Sequence, residues 1–148
     1  MKVAVGIALV ATFVMAVACG GSGKNWGARY QQKNEISIRL SEIREWRREM
    51  GLGLEPHPQD VIQIQRGGGS VRQLKAVCPD GHAVNESCAD VCTLADHICD
   101  NAESICNIAA ELGAQDTWAQ EKCASAKASC REAKKKCCTK GSKAKATW

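Results

Sequence analysis

The chain is poor in the residues that build ordinary cores and ordinary active sites. Aromatics make up 4% of its 148 residues, with one Phe, one Tyr and four Trp. One domain with so little bulky apolar volume needs covalent staples, and ten cysteines are available for that purpose. No cysteine falls between residues 20 and 77, so the cysteine-rich module begins near Cys78. No Cys-x-x-Cys occurs, which removes thioredoxin-like redox chemistry. The Gly run at 66–70 is not followed by Gly-Lys-Ser/Thr, so it is no phosphate loop. The three histidines, His57, His82 and His97, stand in a Pro-flanked loop, a turn and a helix surface, without a recognisable nucleophile beside them. The expectation is a protein that is not an enzyme and carries no cofactor.

Charge of one sign is also missing. The net charge of +4 hides an acidic segment, 78–122, of net −8, and a basic one, 123–148, of net +7 in which Glu132 is the sole acid. Neighbouring segments of opposite sign attract each other, so a nucleic-acid surface is not expected.

What is present begins at the N-terminus. Met1-Lys2 is followed by an uncharged, mostly apolar stretch from Val3 to Val17. It suits the apolar region of an export signal and is short of the roughly 20 residues of a membrane span. Ala16-Val17-Ala18-Cys19 comes next, followed by Gly20-Gly21-Ser22-Gly23. This junction resembles that of bacterial lipoproteins, with Ala16 where Leu is usual. Ala16-x-Ala18 also fits ordinary signal cleavage, which would leave Cys19 a free thiol. The lipoprotein resemblance implies a signal peptide at 1–18, diacylglycerol on the thiol of Cys19, and acyl chains such as palmitate as the membrane contact. Two or three chains anchor stably where one binds only marginally. Gly20 is not the Asp associated with inner-membrane retention, so the resemblance implies the outer membrane.

Residues 19–33 read as a flexible, lipid-anchored tether. Residues 34–52 read as an amphipathic helix, capped by Asn34 and stopped at Gly51, with Ile36, Leu40, Ile43, Trp46 and Met50 on one face. That stripe is expected to pack on the rest of the chain or on a copy of itself, with docking of another envelope protein as the functional alternative. Pro56 and Pro58 prevent the helix from resuming, and 53–77 reads as a linker in which Val61–Gln65 is a short extended piece.

The strongest signal is a cysteine ladder in the 78–140 module. Cys92, Cys99 and Cys106 are seven apart, and so are Cys123, Cys130 and Cys137. Seven residues are two helical turns, so each trio lines one helix face. Ser87 with Asp90 starts the first helix, Gly113 stops it and Asp116 caps the second. Contacting positions in antiparallel helices sum to a constant, and these three pairs all give 229. The expectation is a nested set, Cys92–Cys137, Cys99–Cys130 and Cys106–Cys123, with Ala95, Ala102, Ala109, Ala126 and Ala133 permitting close approach. Ile98, Ile105 and Leu112 flank this seam and offer a surface to the N-terminal helix. The acidic first helix is expected to face the basic second one.

Three cysteines are left besides Cys19. Cys138 can pair with Cys88 or Cys78; Cys88–Cys138 is favoured, leaving Cys78 unassigned or bridging two chains. The residues Ile98-Cys99-Asp100-Asn101-Ala102-Glu103-Ser104-Ile105-Cys106 and the run from Trp118 to Cys138 resemble Cys-rich lipoproteins of predatory and soil deltaproteobacteria, myxobacteria among them. The resemblance covers about a third of the chain. It implies the envelope and no activity.

The fold expected is therefore all-α: a disulfide-stapled antiparallel helical hairpin plus one N-terminal amphipathic helix, joined by flexible linkers, with a basic tail at 141–148. The function expected is a structural or protein-interaction role in the envelope. The alternative is a copper- or zinc-binding or thiol-buffer protein, with Cys78, His82, Cys88 and Cys92 as ligands.

Overall fold

A computed structural model describes residues 22–75 and 86–143, with side chains at 26–75 and 90–138. Five helices form within them: α1 (Ser22–Glu49), α2 (Pro58–Gly67), α3 (Val71–Lys75), α4 (Glu86–Leu112) and α5 (Thr117–Lys143). There is no strand among the described residues. Helices α4 and α5 make the antiparallel hairpin, α1 lies along it, α2 packs on α5, and α3 touches both hairpin helices.

The hairpin turn follows from its residues. Gly113 closes α4 at φ 93°, a conformation that costs a residue with a Cβ about 1–2 kcal/mol. Its N–H donates to the Ala109 and Ala110 carbonyls at 3.1 Å. Asp116 then caps α5, its Oδ1 accepting from the Ala119 N–H at 3.2 Å. From this fixed turn the two helices run side by side with Ala95, Ala102, Ala109, Ala126 and Ala133 fully buried in the seam.

Helix α1 runs antiparallel to α4: Arg29 meets Leu112, Arg39 meets Asn101 and Trp46 meets His97. Its apolar stripe is satisfied within the chain. Ile36, Leu40, Ile43 and Met50 are buried in one cluster with Ile98, Ile105, Ile108 and Leu112. At about 25 cal/mol per Å2, side chains of this kind stabilise the fold by about 1.5–3 kcal/mol each when fully buried. The helix ends as expected at Gly51, with the Leu52 N–H donating to Arg47 O at 2.8 Å and the Gly51 N–H to Arg48 O at 2.9 Å, a Schellman closure.

Three expectations need correction. The stretch read as a tether is helical from Ser22 onward. Its sequence is polar and Gly-containing, but its side chains dock on the hairpin turn: Gln32 donates to Glu111 at 2.8 Å, and Lys33 pairs with Asp116 at 2.9 Å. Second, the linker contains α2 and α3, so Val61–Gln65 is helical rather than extended. Pro58 occupies the first helical turn, where its missing N–H costs nothing, and His57 caps it by accepting from Gln59 N–H. Gly68, at φ 56°, returns its N–H to the Ile64 carbonyl at 2.9 Å, and so ends α2 as a left-handed cap. Ser70 and Gln73 then form a reciprocal capping box for α3, at 2.9 and 3.2 Å.

The third concerns charge. Lys134–Asp96 at 2.6 Å crosses directly between α4 and α5. Other charges of the hairpin are met from outside it: Asp100 and Glu103 by Lys75 of α3, and Arg131 by Asp60 of α2. The close Ala/Cys seam leaves little room for long side chains between the two helices, so they turn to the flanking elements.

Candidate functional site

The three expected rungs are all present. Cys92–Cys137, Cys99–Cys130 and Cys106–Cys123 hold their Cα atoms 4.9, 4.7 and 4.7 Å apart. Because Cα atoms stand about 2.3 Å off a helix axis, these separations place the two axes no more than about 9.5 Å apart, within the usual packing range of about 8–10 Å, and the buried alanines between the rungs permit that approach. The rungs differ in access. Cys99 and Cys130 are both fully buried. Cys92 and Cys106 are half-buried. The Cys106–Cys123 rung lies between two open surface grooves. One, of about 400 Å3, is bounded by Ile64, Gln120 and Cys123; the other, of about 360 Å3, by Arg72, Glu103 and Cys106; Lys127 borders both.

Of the remaining expected site residues, Cys138 is disulfide-bonded. Its expected pairing with Cys88 lies outside the described residues, as do Cys19, Cys78 and His82. The alternative metal set loses Cys92, because its sulfur is committed to Cys137. Among the described residues, no group of three or more His, Cys, Asp or Glu converges on one point. Two histidines have structural roles: His57 caps α2, and the ring of His97 lies 5.4 Å from that of Trp46.

Three polar nodes hold the helices in register. In the first, Asn101, 7% exposed on α4, accepts from the Arg39 guanidinium at 3.2 Å and donates to Glu42 at 2.7 Å. The second surrounds Arg47, which occupies a place in the 36–40–43–47–50 stripe and is 1% exposed. Its guanidinium donates to the carbonyls of Gly53 and Glu55 at 2.8 and 2.9 Å and to Glu132 Oε2 at 2.8 Å. Glu132 Oε1 accepts the His57 N–H at 2.6 Å. One ion pair thus ties the end of α1, the following loop, the start of α2 and the middle of α5. The sequence carried the signal in two halves: an arginine on an apolar stripe, and one acid in a basic segment.

The third node is the hairpin turn. Asp116 receives Lys33 at 2.9 Å and Arg29 at 3.7 Å, and Arg29 also donates to the last carbonyl of α4, Leu112, at 3.2 Å. The hydrogen bond from Lys33, followed by that from the Ala119 N–H, holds the Asp116 carboxyl below its ordinary range. Lys33 and Lys122 also approach the Trp118 ring, at 5.3 and 5.9 Å from its centroid. On α3, the hydrogen bond that the Lys75 ammonium donates to Asp100 holds that ammonium above its ordinary value.

No helix of the described residues is long and apolar enough to cross a membrane. The first turns of α1 nevertheless carry two exposed aromatics, Trp26 at 74% and Tyr30 at 66% exposure, stacked with ring centroids 6.2 Å apart and planes 15° apart. Comparison with protein-family models, with curated proteins and with solved structures gives no match for this chain.

Proposed function

We propose that the chain is a non-enzymatic, lipid-anchored protein of the bacterial envelope, probing or bracing its surroundings with a rigid helical hairpin in a structural or protein-interaction role. The observation that carries this reading is the three-rung disulfide ladder. Its middle sulfurs are sealed from solvent and its seam positions are alanines, so the hairpin is built for an oxidising compartment. The signal-like N-terminus supplies a route to such a compartment, and Cys19 supplies the anchor. At 1.5 Å per residue the 27-residue hairpin helices are about 40 Å long. Held at one end, such a hairpin carries its other end well clear of a bilayer.

The test is expression with the native leader in a bacterium, followed by intact mass, thiol counting and metal analysis of the unreduced mature protein. The expected result is a diacylglyceryl thioether on Cys19, about one free thiol and no stoichiometric metal. A chain released without lipid refutes the anchor. Many free thiols with stoichiometric copper or zinc refute the structural role and favour a metal or thiol store.

A further inference from the structure

The aromatic pair at the start of α1 stands largely outside the packed core. Trp26 and Tyr30 are two of only six aromatics in the chain, yet they stand largely in solvent while apolar volume is scarce elsewhere. They are one turn apart and so share a helix face. Their rings are stacked on each other, which presents one continuous amphipathic plate rather than two separate side chains. Farther along the same face come Lys33, Ser37, Ser41, Arg44 and Arg48, so the apolar character is confined to the first turns.

The position of that plate is constrained by chain length. From Cys19 to Ser22 is three residues, at most about 11 Å of extended backbone. From Ser22 to Trp26 is four helical residues, about 6 Å of rise. Trp26 therefore lies within about 17 Å of Cys19 however the intervening residues are arranged. A lipid on Cys19 puts the start of α1 at the bilayer surface, where the headgroup region is about 5–8 Å deep on each side.

On the reading that Cys19 is lipidated, we infer that Trp26 and Tyr30 form a second, non-covalent membrane contact, with their rings seated in the headgroup layer beside the acyl anchor. Tyr and Trp suit that layer because an apolar ring carries a polar N–H or O–H that stays wet. The charges of Arg29 and Lys33 are balanced by the two carboxylates of Asp116 and Glu111, the latter held by Gln32, and Lys24 adds one positive charge two residues before Trp26. The contact has a consequence for posture. A chain held by lipid alone pivots about Cys19. A chain held also by the α1 plate sets the hairpin turn, which packs against the first turns of α1, toward the membrane and the Cys92–Cys137 end away from it.

The test uses the lipidated mature protein in phosphatidylcholine vesicles containing brominated phosphatidylcholine, which quenches tryptophan emission at the bilayer. The background carries Trp148→Phe, and lipidation is verified by mass on the same sample. The expected result is a quenched emission component that is lost in Trp26→Phe and kept in Trp118→Phe, with unchanged helical circular dichroism in both. Vesicle-bound, lipidated protein whose quenching is indifferent to Trp26→Phe overturns the inference while leaving the anchor intact. So does unquenched Trp26 in a protein that cross-links to a second copy through Tyr30. A mass without the lipid overturns the anchor reading itself, and the inference with it.

Discussion

Replacing Arg47 with Met tests whether the buried ion pair organises the fold. The substitution keeps most of the side chain's apolar volume and removes its charge. It strips hydrogen bonds from the carbonyls of Gly53 and Glu55 and leaves the Glu132 carboxylate facing an apolar stripe, with only the His57 N–H retained. Breaking one side of a buried pair costs about 3–5 kcal/mol. Glu132 is 15% exposed, and water reaching it lowers the expectation to the bottom of that range, about 3 kcal/mol. For a domain of this size that is a fall in Tm on the order of 10–15 °C. The companion Glu132→Leu leaves Arg47 buried and charged, and should be similarly costly. The double variant removes both charges, and neutralised buried pairs packed with apolar residues are often as stable as the original. It is expected to regain most of the loss. Thermal unfolding by circular dichroism, with disulfides intact, gives all four corners of the cycle. A fall of less than about 1 kcal/mol for Arg47→Met, or strictly additive losses in the double variant, refutes the assignment.

Ala102→Leu places a branched side chain between the Cys99 and Cys106 rungs, where Ala102 is fully buried; one or both neighbouring bridges should fail to close, read as two to four additional free thiols under non-reducing conditions. Asp116 titrates below its ordinary value of 3.8 when folded, so its contribution to stability is full above that value and is lost as pH falls through the folded-state value. Asp116→Asn should therefore flatten the acid limb of a stability–pH profile, and an unchanged limb counts against the Lys33 contact. Reduction should open the innermost and outermost bridges, each of which includes a half-buried cysteine, before the fully buried Cys99–Cys130 bridge; mass mapping of alkylated thiols over time reads the order. Complete reduction should also destabilise the hairpin strongly, because the innermost loop alone is worth about 3 kcal/mol of chain entropy and the seam buries little beyond Ala and Cys.

The parts of this fold that could be read from residues alone were those written in a long period. The two heptad-spaced cysteine trios specify both helices, their direction and their pairing, because one constant sum satisfies three contacts. Gly113 and Asp116 mark the turn for local reasons that do not depend on the rest of the chain. What escaped has the opposite character. Helices α2 and α3 have 10 and 5 residues, too short for a period to show. Their boundaries were visible, but as the wrong kind of punctuation: Pro58 reads as a barrier until one sees that it opens a helix. The Gly67–Ser70 run reads as a flexible linker, although Gly68 closes one helix and Ser70 opens the next. The N-terminal half of α1 has a polar, Gly-containing sequence that propensity does not favour. Tertiary contacts to Asp116, Glu111 and the Leu112 carbonyl outweigh that, and no local pattern announces them. Arg47 is hard to read as a core position because the apolar stripe passes just as well through Trp46, its half-buried neighbour.

The spacing of the ladder bears finally on how the protein finds its native thiol pairing. Six cysteines can be joined in fifteen ways. A hairpin slipped by one rung would still bring cysteine opposite cysteine and alanine opposite alanine, because the slip is a whole seven-residue repeat. The seam alone is thus blind to register. The short turn from Gly113 to Asp116 is not, since the slipped pairing would move the turn's centre by three to four residues, into the end of one helix, and release the caps there. A slipped ladder also has only two rungs and leaves two thiols over. Leftover thiols are the reagents of disulfide exchange, so a wrongly registered chain retains the means to correct itself, while a correctly registered one consumes them. The ladder is therefore a form of proofreading: the structure that stops reacting is the one with no ladder thiol left to react.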